Sequence, residues 1–142
     1  NGVLYAGTGG NGVYKSADAG ESWTEARPTR FTAPNSPLSA KRMPDGRILA
    51  GWNPIPRYQT RERRKGSSDR TPLAGALSAD DGKSWSEPVL LEDGSDGGGY
   101  CYTAIHFDEE AVLLAYCAGN AADGSCLARI RMRRVGYGEL GR

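Results

Sequence analysis

Histidine, cysteine and methionine are scarce here: one histidine, His106, three cysteines, Cys101, Cys117 and Cys126, and two methionines in 142 residues. Three cysteines are an odd and sparse set, so they do not read as a disulfide framework. No Cys/His cluster has zinc spacing, and a single histidine could not complete one. No metal site and no cofactor are therefore expected. No long apolar run is present, so no membrane-spanning segment is expected. Neither sign of charge dominates, with 18 Lys plus Arg against 17 Asp plus Glu, which removes the field that nucleic acid or an anionic membrane would answer to. No stretch has a helical hydrophobic period. The first residues, Asn1-Gly2-Val3-Leu4-Tyr5, include no initiator Met and do not form a signal peptide, so the chain is expected to be processed, trimmed or excerpted from something longer.

What is abundant is turn chemistry: 20 glycines and eight prolines. Together with short alternating apolar runs, they indicate an all-β chain. One stretch occurs twice. Ser16-Ala17-Asp18-Ala19-Gly20-Glu21-Ser22-Trp23 and Ser78-Ala79-Asp80-Asp81-Gly82-Lys83-Ser84-Trp85 share Ser, Asp, Gly, Ser and Trp at the same places. Two such octets in so short a chain mark a repeat. Each reads as a turn. The Asp carboxylate folds back on backbone N–H groups, Gly supplies a positive φ, and the Trp packs back over the hairpin it closes.

Around the octets the chain reads as strands. Val3–Gly7, Val13–Ser16 and Trp23–Ala26 come first, and the glycine-rich turn at residues 8–12 lacks the Gly-Lys-Ser/Thr of a phosphate loop. Leu38–Met43 and Arg47–Trp52 flank Asp45-Gly46, a hairpin signature. Residues 53–69 form a polar loop with Arg57, Arg61, Arg63, Arg64 and Lys65, read as a solvated loop or as an anion-binding surface. Strands are expected on both sides of the second octet, through Leu91. An acidic loop at residues 92–99 follows; it lacks the closing Glu of an EF-hand calcium loop. Tyr102–Phe107 and Ala111–Cys117 form a further hairpin, Leu127–Arg133 another strand, and Val135–Arg142 a tail. If the hairpin turns about Glu109, Cys101 faces Cys117 across it, as two buried thiols or as a bridge. His106 reads as a strand histidine, not a base.

The pattern S-x-D-x-G-x-[ST]-W resembles the Asp-box, or BNR repeat, of sialidases (neuraminidases) and related β-propellers. That resemblance implies a structural box on the outside of a blade, between its third and fourth strands. The octets at Ser16, Asp18, Gly20, Trp23 and at Ser78, Asp80, Gly82, Trp85 then set a register of about three four-stranded blades. Residues 1–26 are a partial blade, 36–91 a full one and 100–134 a partial one, all within one all-β propeller-type domain. A closed propeller needs at least about four blades. The chain is therefore expected to pair with a copy of itself, as a dimer, or with the missing half of a larger ring.

From Ser36 to Arg133 the chain resembles the C-terminal half of bacterial sialidase-family proteins, through Ser36-Pro37-Leu38, Trp52-Asn53, Arg70-Thr71-Pro72-Leu73 and Gly99–Phe107. Residues 1–26 are more like the Asp-box repeats of non-enzymatic propellers, so a join is expected near 27–30. The resemblance implies a glycoside hydrolase with a Tyr nucleophile, a Glu that activates it, an Asp acid/base and an Arg triad for a substrate carboxylate. Tyr102 matches the nucleophile and Arg70 one clamp arginine, with Arg57 and Asn53 as further substrate-binding candidates. The chemistry is coherent, because a phenol with a pKa near 10 needs a base to become a nucleophile and an Arg fork suits a carboxylate. The chain departs from the pattern in two ways. Cys117 or a neighbour stands where the Glu would be, and the acid/base Asp and first Arg belong to an N-terminal half that this sequence lacks. Two readings follow: a sialidase-like protein without a complete site of its own, or a non-catalytic propeller module binding carbohydrate, such as an acidic glycan, or protein.

Overall fold

The computed structural model of the chain describes residues 2–8, 12–27, 29–55 and 70–141. The chain divides into two compact units, Asn1–Thr32 and Ala33–Arg142. All regular structure among the described residues is antiparallel strand, apart from two 3₁₀ turns at Ala121–Asp123 and Tyr137–Glu139. Arg57 and the basic run at 61–65 lie outside the described residues.

The first unit holds a hairpin of β1 (Leu4–Thr8) and β2 (Gly12–Ser16), with Leu4 opposite Ser16. The strand expected over Trp23–Ala26 does not form. It is reduced to one bridge, Val13 with Arg27, and a Thr24 N–H bond to the Lys15 carbonyl at 2.9 Å. Pro28 follows directly; it has no N–H with which to extend the ladder.

In the second unit, β3 (Ser39–Arg42), β4 (Ile48–Trp52), β5 (Leu73–Ser78) and β6 (Val89–Glu92) form one sheet in sequence order. Asp45 sets the first turn, accepting from Arg47 N at 3.0 Å. The strand after the second octet begins only at Val89, because Pro88 delays pairing. A second sheet runs β7 (Cys101–Phe107), β8 (Ala111–Cys117) and β9 (Ile130–Gly136). The two sheets share one core. Leu49, Leu73, Leu77 and Leu91 from the first pack with Tyr100, Val112, Leu114, Tyr116 and Val135 from the second. Their leading strands are neighbours, with Lys41 Nζ on β3 donating to the Ile105 carbonyl on β7 at 3.0 Å.

Two expectations change here. The strand placed at Leu127–Arg133 is displaced to Ile130–Gly136, since the connection from β8 is a capped turn: the Asn120 side chain accepts from Ala122 N and Asp123 N, and Gly124 ends the turn at φ 79°. Nor is Val135–Arg142 a tail. Val135 and Leu140 are buried in the core, and the Tyr137 hydroxyl donates to the Asp108 carbonyl at 2.6 Å.

The outer face of the second sheet is open and carries exposed apolar residues beside the exposed Arg134. Ile130 and Met132 stand two residues apart on β9 with 76% and 74% of their surface exposed, and Ala104 and His106 are exposed on β7.

Candidate functional site

Both octets fold into the same object. The buried Ser16 hydroxyl accepts from Gly20 N at 2.8 Å and donates to Asp18 at 2.7 Å; Ser78 does the same with Gly82 and Asp80 at 2.8 and 2.9 Å. Asp18 accepts from Ser22 N and Oγ at 2.9 and 2.5 Å, and Asp80 from Ser84 at 2.8 and 2.6 Å. Each indole N–H returns to the carbonyl of the turn glycine, Trp23 to Gly20 and Trp85 to Gly82, both at 3.1 Å. The repeat runs one residue further than the octet. Thr24 Oγ1 and Ser86 Oγ accept from Lys15 N and Leu77 N at 3.1 and 3.0 Å. The signal was available, as a hydroxyl residue follows the Trp in both copies. Bonds from Ser84 hold the Asp80 carboxyl down at about 2, and those from Ser22 hold Asp18 lower still. The Ser, Asp and Trp side chains that define the octets are thus engaged within their own turns, while Ala19 N donates to the Gly2 carbonyl and Asp81 pairs with Arg42.

The candidates away from the octets are brought together. Arg70 and Tyr102 lie far apart in sequence, yet the guanidinium carbon stands 5.1 Å from the centre of the Tyr102 ring. Arg70 comes from the segment entering β5, and Tyr102 from the start of β7. Nη2 of Arg70 donates to the Asn35 carbonyl at 3.2 Å, and Nη1 reaches the Cys101 sulfur at 3.0 Å. Among the described residues no carboxylate pairs with Arg70, so the surface ion pair that is the ordinary fate of such an arginine is not its arrangement.

Tyr102 is held unusually. Its φ is 56°, left-handed for a residue with a full side chain, and the ladder between β7 and β8 slips here. Cys101 stands opposite Cys117, but Ala104 stands opposite Ala115, so β7 carries an extra residue. The ring is turned outward, 54% exposed, instead of packing into a sheet centre. No carboxylate accepts from its hydroxyl among the described residues.

Asn53 is 2% exposed and its side chain is fully engaged. Its carbonyl oxygen accepts from Ser36 Oγ at 2.6 Å, and its amide donates to the Arg70 and Pro72 carbonyls at 2.8 and 2.9 Å. It therefore acts on the backbone that carries Arg70. Tyr100 N adds a bond to the Arg70 carbonyl at 2.7 Å, tying the two candidate segments together.

The three cysteines are free thiols. Cys101 and Cys126 are buried, whereas Cys117 is half-buried. Although Cys101 is opposite Cys117 in the ladder, its sulfur meets Arg70, whose Nη1 also reaches the Cys126 sulfur at 4.0 Å. Burial pushes the Cys101 thiol up to about 11, with the Arg70 guanidinium opposing that rise.

Sequence reasoning missed one charged network. The acidic loop does not gather its carboxylates around a cation. Arg131 on β9 bridges Glu92 and Asp96 at 2.9 and 2.5 Å, the Tyr100 hydroxyl donates to Asp96, and the Tyr116 hydroxyl donates to Glu92. The bond from Tyr100 and then Arg131 holds Asp96 at about 2, while burial raises both phenols. These tyrosines are buried donors to carboxylates and are not poised as nucleophiles. The clue was Arg131 and Arg133 alternating with the exposed residues of β9, on the side of the strand that carries Val135. A shallow depression lined by Val89, Gly136, Gly138 and Glu139 gathers no comparable chemistry.

No curated protein and no solved structure matches the chain. A family profile, described as BNR repeat-like domain, matches residues 10–114. That span takes in both octets with Asn53, Arg70 and Tyr102, and it covers most of an all-β chain whose two octets close through one hydrogen-bond pattern. The chain belongs to the BNR repeat-like domain family.

Proposed function

We propose that this chain is a sialidase-like propeller portion that binds a carboxylate-bearing glycan at Arg70 and Tyr102 and does not hydrolyse it alone. One observation carries the reading: a guanidinium without a carboxylate partner among the described residues, stacked on an exposed, conformationally constrained tyrosine. An arginine fork is matched to a planar carboxylate, and an aromatic face beside it suits the apolar side of a sugar ring. The absence of a base on the Tyr102 hydroxyl among the described residues favours binding over turnover. The propeller reading is supported by the position of the second octet between β5 and β6, by the adjacency of β3 and β7, and by the open face that exposes Ile130 and Met132, where a further blade would pack. A second copy completing the ring fits that face.

The test is titration with a sialic acid and with its methyl ester, by calorimetry, alongside light scattering. Binding of the acid, at least tenfold weaker for the ester and for Arg70→Ala, is expected, with a mass of twice the chain. Equal affinity for acid and ester ends the carboxylate reading. Hydrolysis of a fluorogenic sialoside that falls on Tyr102→Phe would replace binding by catalysis. A clean monomer at working concentration removes the paired ring.

A further inference from the structure

The Cys101 and Cys126 sulfurs converge on the same nitrogen. Nη1 of Arg70 lies 3.0 Å from Cys101 Sγ and 4.0 Å from Cys126 Sγ. Neither position is accidental. The slip that left-hands Tyr102 leaves Cys101 inward, 1% exposed. Cys126 is delivered by the folded-back connection between β8 and β9, which Gly119 N clamps by donating to the Cys126 carbonyl at 3.0 Å. Only glycine fits at 119, since a β-carbon there would stand 2.1 Å from the Ser125 carbonyl oxygen.

We infer that Cys101 and Cys126 are a disulfide-forming pair, closed by exchange with a small-molecule disulfide, and that closure takes the Cys101 sulfur away from Arg70. Cys126, 7% exposed, is the more accessible thiol and attacks first. Its sulfur bonds to one sulfur of the small disulfide, the S–S bond of that molecule breaks, and the leaving thiolate takes the Cys126 proton. Cys101, held 3.0 Å from the Arg70 guanidinium that it shares with Cys126, then loses its proton and attacks the Cys126 sulfur of the mixed disulfide. The Sγ–Sγ bond forms and the second small thiol leaves with the Cys101 proton. Two protein thiols are oxidised by two electrons, and one small disulfide is reduced to two thiols. Cys117 takes no part.

The pair has a direct test that does not depend on what Arg70 binds. The native chain is incubated with oxidised glutathione, quenched in acid, alkylated and cleaved on the amino side of aspartates. Asp108 and Asp123 then part the three cysteines into separate peptides. The expected result is a Cys101–Cys126 linkage with Cys117 alkylated, unchanged in Cys117→Ser. In denaturant the shorter Cys117–Cys126 loop is expected to dominate instead, because closing a shorter loop costs less entropy. Three alkylated cysteines in the native sample, stable glutathione adducts alone, or a native linkage to Cys117 would each overturn the inference. Titration of the linked protein with the sialic acid then reads the effect on Arg70 separately.

Discussion

Replacing Asn53 by alanine separates a structural from a ligand-contacting role for this residue. In the fold its side chain makes three bonds, to Ser36, to the Arg70 carbonyl and to the Pro72 carbonyl, in a site closed to water. Each buried bond contributes about 1 kcal/mol net, and carbonyls left unpaired add to the loss. The change should therefore cost about 3 kcal/mol. With a urea m-value of about 1.5 kcal/mol per M, the unfolding midpoint falls by about 2 M. Asn53→Asp sharpens the test. It keeps the shape and the acceptor for Ser36, but turns an oxygen toward two carbonyls that need donors. It should cost at least as much as alanine, although it is the smaller chemical change. Affinity at Arg70 should fall in both variants, since the backbone under that residue loses its anchor. A midpoint within 0.5 M of the parent in Asn53→Ala, with binding lost, would refute the reasoning and make Asn53 a ligand contact.

Four other outcomes are expected. Asp80 is held at about 2 from an ordinary 3.8, so its contribution is present above about pH 4 and is lost as pH falls toward 2; urea midpoints of the parent should drop more steeply across that window than those of Asp80→Asn. Tyr116→Phe should cost about 1.5–3 kcal/mol, the value of a bond to a charged group, and less in a Glu92→Gln background, where the acceptor is neutral, the coupling read by a double-mutant cycle; Glu92→Gln keeps a cost of its own through its ion pair with Arg131. Gly119→Ala should cost about 1–3 kcal/mol in thermal or urea unfolding, as expected for overpacking against a backbone oxygen. Ser78→Ala should cost about 1–2 kcal/mol through the Gly82 N–H it strands, while Thr24→Val in the first unit should leave the second unit's transition unmoved.

The legible parts of the chain were those whose bonds close nearby. The bonds of the Ser78, Asp80, Ser84 and Trp85 side chains within the octet join residues at most four apart, and the hairpin at Asp45-Gly46 turns within its own signature. The strand expected at Trp23–Ala26 follows from the octet and the blade register, which take no account of Pro28 and its missing N–H. Cys101 does stand opposite Cys117, but by a different route: the hairpin centre lies past Glu109, and an extra residue at Tyr102 restores the pairing. A left-handed tyrosine carries no sequence mark. The meeting of Arg70, Cys101 and Cys126 depends on three segments folding together, and single-chain periodicity does not report on that. Arg131 was marked by its place on the inward face of β9, but its partners Glu92 and Asp96 were hidden for the same reason.

The closure of each octet upon itself has a consequence for how such a chain can lengthen. A turn whose shared side-chain bonds are all local can be duplicated without carrying its surroundings along, and the two copies here sit in separate units with different outside partners, Gly2 for the first and Arg42 for the second. It should also form early in folding, before any long-range pairing, because it has little loop entropy to overcome. The octet is in that sense a portable part: new strands can be appended around it, and its own geometry is already decided.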